Sequence, residues 1–326
     1  MLEQSTFGVH LTSRDPWLQR LKAWADERFP LGQVALFVVL YATICLYSGA
    51  LEATGEIVLS PRLLVGFLAF WSFFLLLRVL DEHKDFAEDR HNYPERVLQR
   101  GLIDLDDLKI VGVGCIALQA SISVMLDGGL GPVTLWWLGV MLWTSLMTVE
   151  FFIGDWLRAH LLPYAISHMF VMPLALLWVF AMARSGPVDP FARSTLWIVS
   201  LGFFFGFLFE VARKTKAPEE EEETIDSYSK ILGTRGSAAL LALLLALSAL
   251  SMAGLLYEAT GRFAFWWGVG LLVLTGLGGV EALRFGRRAS PERAKALQTM
   301  VILAGLSIFL AGNALLIVER GLAWSS

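Results

Sequence analysis

The chain has 326 residues, 56% of them hydrophobic and 17% charged, with a formal net charge of −4 and a mean hydropathy of +0.60. A soluble domain carries about 25% charged residues, so the composition speaks against an ordinary water-soluble enzyme; no nucleic-acid partner is expected. The apolar runs are continuous, which speaks against the alternating pattern of a β-barrel.

The first 32 residues read as a cytoplasmic arm. They hold no long apolar stretch, so no signal peptide is expected. Trp17, Leu18, Leu21 and Trp24 recur at helical spacing among Arg20, Lys22 and Arg28, which predicts a short amphipathic helix on the membrane interface. Residues 33–326 form the second region. A spanning helix needs roughly 20 apolar residues, and the runs that qualify are approximately 33–51, 61–80, 108–126, 132–150, 162–183, 194–212, 236–257, 264–284 and 296–318. The predicted fold is an all-α, polytopic membrane bundle of nine transmembrane helices. Cys45 and Cys115 fall inside spans, so no disulfide framework is expected. With the N-terminus inside and the C-terminus outside, only Arg62, Arg184, Arg193, Arg262 and Arg320 of the 26 basic residues lie on the far side. That bias sets the predicted orientation. The many Trp residues, such as Trp136, Trp137, Trp266 and Trp267, suit interfacial belts and packing.

Two cytoplasmic connections are long, 81–107 after the second span and 213–235 after the sixth. The first opens with Asp81-Glu-His-Lys-Asp85-Phe-Ala-Glu-Asp89. Aspartates four apart share a helix side, where like charges repel unless a cation lies among them. Such hard oxygen ligands suit Mg²⁺, which bridges carboxylates to substrate phosphates. Pro94 ends helix before it, so Arg96 and Arg100 fall on a loop able to fold back, and arginine forks hold phosphate oxygens. Lys84 lies within the same cluster. In the second connection Glu210 is followed by Arg213 and Lys214; a plain Glu210–Arg213 ion pair is the competing reading. The run Glu219–Glu223 reads as a solvated loop, and His168 as a polar partner within the bundle.

These residues resemble the UbiA family of intramembrane prenyltransferases, whose pattern N-x-x-x-D-x-x-x-D, then N-x-P-x-R and Gly, aligns with Asp81, Asp85, Asp89, Asn92, Pro94, Arg96 and Gly101. Asp81 replaces the usual Asn. Leu157-Arg158 before Pro163 is similar to a Lys-Arg motif of that family, and Ser227 to Gly233 matches a third segment in spacing. The second acidic motif departs: Glu210 is kept, but Arg213 and Lys214 stand where another carboxylate belongs. The resemblance implies a transferase moving a prenyl group from a polyprenyl diphosphate to an aromatic, isoprenoid or lipid acceptor. It implies Mg²⁺ on Asp81, Asp85, Asp89 and Glu210, and diphosphate on Lys84, Arg96, Arg100, Arg158, Arg213 and Lys214. Phosphosugar transfer to a polyprenyl phosphate and a non-enzymatic transporter are the alternatives. Against a transporter, the charges cluster at one membrane face rather than at the midplane. The D-G-x-x-A-R leader of CDP-alcohol phosphotransferases is missing.

Overall fold

The structure is a computed structural model that describes residues 11–52, 57–184, 187–222, 226–262 and 265–324. The first ten residues of the arm, Glu223 of the acidic run and Ala264 of the eighth expected span lie outside these ranges. Thirteen α-helices are described. In the first half they are α1 (Trp17–Arg28), α2 (Val34–Ala50), α3 (Pro61–Lys84), α4 (Phe86–Asn92), α5 (Leu105–Asp127) and α6 (Pro132–Thr148). In the second half they are α7 (Gly154–Arg158), α8 (Leu161–Met169), α9 (Val171–Ala183), α10 (Arg193–Arg213), α11 (Tyr228–Thr260), α12 (Phe265–Arg287) and α13 (Pro291–Arg320). Two three-residue strands, β1 (Ile57–Leu59) and β2 (Leu322–Trp324), pair in parallel.

The all-α membrane fold is met. Eight helical segments among the described residues are long and apolar enough to cross a bilayer, with α8 and α9 counted as one segment, Leu161–Ala183. The fourth expected span, 132–150, is α6, which has 17 residues and is about 26 Å long at 1.5 Å per residue. Helix ends follow local chemistry. Ser227 and Ser290 accept from the backbone N–H of Lys230 and Arg293 at the starts of α11 and α13, satisfying donors that have no intrahelical partner. The span 162–183 is divided at Phe170, just before Val171 opens α9, whose third residue, Pro173, has no N–H to give.

Contacts divide the chain into two compact units, Met1–Phe37 with Leu68–Ser121, and Val38–Phe67 with Ile122–Ser326. In the first, Trp24 of α1 is fully buried against Val79, Val97, Leu98, Leu102, Ile103 and Leu108. The arm helix therefore forms where expected, but Trp24 packs on protein rather than on lipid, while Leu18 is exposed. Polar contacts fix it there: Trp17 Nε1 donates to Asp107 at 2.9 Å and Arg20 Nη1 to the Leu102 carbonyl at 2.9 Å.

The second unit is a bundle in which α10 packs on α9, α11 and α13, and α11 on α12 and α13. Small residues allow close approach, as is usual between membrane helices. A Cβ at Gly202 would lie 3.2 Å from the Pro173 backbone. The five arginines expected on the far side each have a partner here. Arg62 donates to the carbonyls of Met182 at 2.9 Å and Leu126 at 3.0 Å, and Arg320 to that of Ala259. Arg184, Arg193 and Arg262 pair with Glu52, Glu258 and Glu319.

Candidate active site

The apolar run of α3 gives way to charge at Asp81, and the helix bends at Asp85, whose φ of −95° and ψ of 5° are not helical. Main-chain bonds still link the three aspartates. Asp85 N donates to Asp81 O, and Asp89 N to Asp85 O, both at 2.8 Å. The bend gives them different surroundings. Asp81 is half exposed and lies 3.6 Å from Arg78. Asp85 remains open to solvent, yet packing around its carboxyl and the Asp81 charge beside it push it up to about 6; the Lys84 ammonium offsets this in part.

Asp89 is nearly buried and held by two arginines. Arg96 Nη1 lies 2.5 Å from its Oδ2 and Arg28 Nη2 at 3.5 Å. The Arg96 guanidinium also sits 3.7 Å over the Tyr93 ring, a favourable cation–π placement. Arg96 thus folds back over the acidic cluster as its loop position suggested, whereas Arg100 is exposed.

Among the described residues, no three His, Cys, Asp or Glu side chains converge on a point that could hold a metal ion. The reason is local: Asp89 has its charge met by Arg96 and Arg28, and Asp81 lies beside Arg78. Asp81 and Asp85 retain the character a hard cation needs, two accessible carboxylates each unfavourable beside the other.

Residues not singled out in the sequence complete this unit's site. Glu82, one position after Asp81 and so on another face, is 1% exposed and ion-paired with Arg28. Its Oε2 has no hydrogen-bond partner. Glu27 accepts from Val97 N at 3.2 Å, and burial pushes its carboxyl up. Nothing in the sequence pairs residues 54 or more positions apart, so Arg28 was not legible.

The remaining candidates belong to the second unit. Glu210 accepts Arg213 Nη2 on Oε2 at 2.8 Å and Lys214 Nζ on Oε1 at 2.9 Å. Both oxygens are taken, so the carboxylate that was expected to ligate a metal has its charge met within the chain. Arg213 is largely exposed and Lys214 less so. Arg158 of α7 pairs with Glu150 and, at 2.6 Å, with Asp155; both raise its already high pKa. Glu150 is buried. It begins a three-residue turn, Glu150, Phe151 and Phe152, with φ of 48°, 54° and 61°, a conformation costing about 1–3 kcal/mol per non-glycine residue. Gly154 faces this pair: a Cβ there would collide with the Glu150 carboxylate.

The acidic run is less loose than expected. Glu220 accepts from Ala217 N at 3.0 Å, Glu221 from Ser227 at 2.6 Å and Glu222 from Lys216 at 3.2 Å. Gly233 has a φ of 71°, which favours glycine and accounts for its place in the segment after Ser227. His168 Nδ1 donates to the Tyr164 carbonyl at 2.8 Å and its ring stacks on the Tyr164 ring, a partner role within the bundle.

No family model and no curated protein matches the chain. Solved structures do. The apo structure of a UbiA homologue from Aeropyrum pernix K1 superposes with a TM-score of 0.60 at 16% identity, covering 85% of this chain and 97% of the other. A structure of digeranylgeranylglyceryl phosphate synthase, studied in membranes, gives 0.59 at 15% identity over 90% of this chain and 99% of the other. The chain is a multi-pass membrane protein with the fold of the UbiA-type proteins.

Proposed function

We propose that this protein is an intramembrane prenyltransferase, using Mg²⁺, a polyprenyl diphosphate donor and a lipophilic acceptor that is aromatic, isoprenoid or lipid. The observation that carries the reading is the Arg96–Asp89 contact, at 2.5 Å, beside the accessible Asp81 and Asp85. It brings a guanidinium against the carboxylates at the end of a membrane span, within a fold shared with a digeranylgeranylglyceryl phosphate synthase over 90% of the chain. Asp81 and Asp85 are the residues that would hold Mg²⁺, with Asp89 joining once its arginines turn to substrate. When bound, the ion would draw charge onto the departing diphosphate.

The chain's own residues do the rest. Lys84, Arg96 and Arg100 bind phosphate oxygens and favour charge developing on them. The same reading gives Arg158, Arg213 and Lys214 of the second unit a share in that binding. The carbon–oxygen bond of the donor breaks with its electron pair leaving on the diphosphate, and an acceptor nucleophile bonds to the allylic carbon and releases a proton. The loops bearing these groups are assigned to the cytoplasmic side. Incubating the purified chain with radiolabelled prenyl diphosphates and a panel of acceptors, with Mg²⁺ or with EDTA, tests the reading. Metal-dependent label transfer is expected; inertness across the panel, or label transfer from a sugar phosphate donor instead, would overturn it.

A further inference from the structure

In the second unit, α11 and α12 lie side by side and leave an open groove of about 380 Å³ between them, within the range of ligand-binding clefts. Ala238, Ala242, Gly279 and Ala282 line its floor with nothing larger than a methyl group, and Leu283 is its one large apolar lining residue. A Cβ built at Gly279 would meet nothing within 4 Å. Membrane helices use such small residues to pack closely on another helix; here no described helix fills the space. Exposed Leu272, Val273 and Leu283 mark the α12 surface around it as lipid-facing.

One end of the groove is charged. Arg235, just past the break at Gly233, and Arg287, the last residue of α12, are its charged lining residues, and no carboxylate lines it. Arg235 Nε donates to the Gly286 carbonyl at 3.3 Å, tying the two helix ends together with one of its five N–H groups. The nearby Arg284 is committed to Glu281, but Arg287 is exposed and has no carboxylate partner among the described residues. A smooth apolar channel that ends in two arginines at the membrane boundary matches an amphiphile with an anionic head. A second copy of this chain, packing by the same face about an axis along the membrane normal, would bring four arginines together and is disfavoured.

We propose that this groove binds an anionic phospholipid, its phosphate held by Arg235 and Arg287 and one acyl chain laid against Ala238, Ala242, Gly279 and Ala282. Arginine forks suit phosphate, and anionic lipids attract basic residues at this depth. The inference does not depend on the proposed activity.

The test uses the full chain, delipidated in detergent and offered mixed micelles of phosphatidylglycerol or phosphatidylcholine, with retained phospholipid and melting temperature as readouts. Phosphatidylglycerol is expected to be retained and to raise the melting temperature, and phosphatidylcholine to do neither. The pair Arg235→Gln and Arg287→Gln should lower retention about tenfold, the loss of two charge-assisted contacts. Gly279→Leu, which keeps both arginines and enters open space, should lower it comparably. Equal retention of the two lipids would overturn the proposal, as would competition by inorganic phosphate alone. So would a charge variant that loses lipid while Gly279→Leu does not, which would mean a diffuse surface effect. A dimer abolished by Gly279→Leu would assign the groove to a second copy instead.

Discussion

The three aspartates that look equivalent in sequence are chemically different. Asp85 has a native pKa of about 6 against an ordinary 3.8, so between those values the native state holds a proton that the unfolded chain releases. Its contribution to stability is therefore greatest below about 3.8 and is lost as the pH rises through 6. Measured in EDTA, Asp85→Asn should flatten the melting temperature between pH 5 and 7 and raise it at pH 7, while abolishing prenyl transfer. A site residue that costs stability is expected where function needs it. Asp89 predicts the opposite: Asp89→Ala leaves Arg96 without its carboxylate, Arg28 keeping only Glu82, and breaking a buried pair costs about 3–5 kcal/mol. An unchanged melting temperature in Asp89→Ala would refute that role. Asp81→Asn should be the mildest of the three, since Asp81 is half exposed. Arg158 offers a further residue-scale test. Gly154→Ala should push the Glu150 carboxylate from Arg158 and weaken inorganic pyrophosphate binding, with Glu150→Gln giving the same loss; unaltered affinity in both would leave the strained turn with a purely structural part.

Among the elements, the sequence was most readable where a single local rule decides. The apolar runs became the helices, Pro94 kept α4 from passing Asn92, and Gly233 stands where a positive φ is needed. What was hidden involved partners distant in the chain. The bend at Asp85 and the reach of Arg28 from α1 to Glu82 and Asp89 depend on how α1 packs, and four-residue spacing carries no trace of that. The acidic run reads as loose because it is a run of like charges; Glu220, Glu221 and Glu222 are instead satisfied by the Ala217 backbone, Ser227 and Lys216. At the end of α10, Glu210 is a single negative charge between two cations, which leaves one net positive charge for phosphate. Arg213→Ala should weaken pyrophosphate binding by about 1 kcal/mol, because an exposed charge contributes little more. Lys214→Ala, nearer the interior, should cost more. Titration calorimetry on both variants checks the order, and equal, negligible losses would make the pair an anchor for Glu210 alone.

For the whole molecule, the crossing of the membrane by α6 fixes the parity of everything after it. At 17 residues α6 is about 26 Å long and must cover a hydrocarbon core of about 30 Å. It lies at the lower limit of spanning helices, but no charged residue interrupts it. A short mismatch is met by local thinning of the bilayer at modest cost. The basic residues give the stronger argument. If α6 spans, only the five arginines with dedicated partners, Arg62, Arg184, Arg193, Arg262 and Arg320, lie on the far side. If it does not, the basic residues of 213–235 and 284–295 join Arg62 and Arg158 there, and the bias that orients membrane proteins is lost. We therefore expect α6 to cross, so that an even number of spans separates Glu88 from Glu221. Single cysteines at those positions, in a background without Cys45 and Cys115, should react with an impermeant maleimide from the same side of sealed vesicles. Labelling from opposite sides would mean that α6 does not span and that the two charged connections face different compartments. No single diphosphate could then meet both sets of cations, and the share given to Arg213 and Lys214 would fall with it.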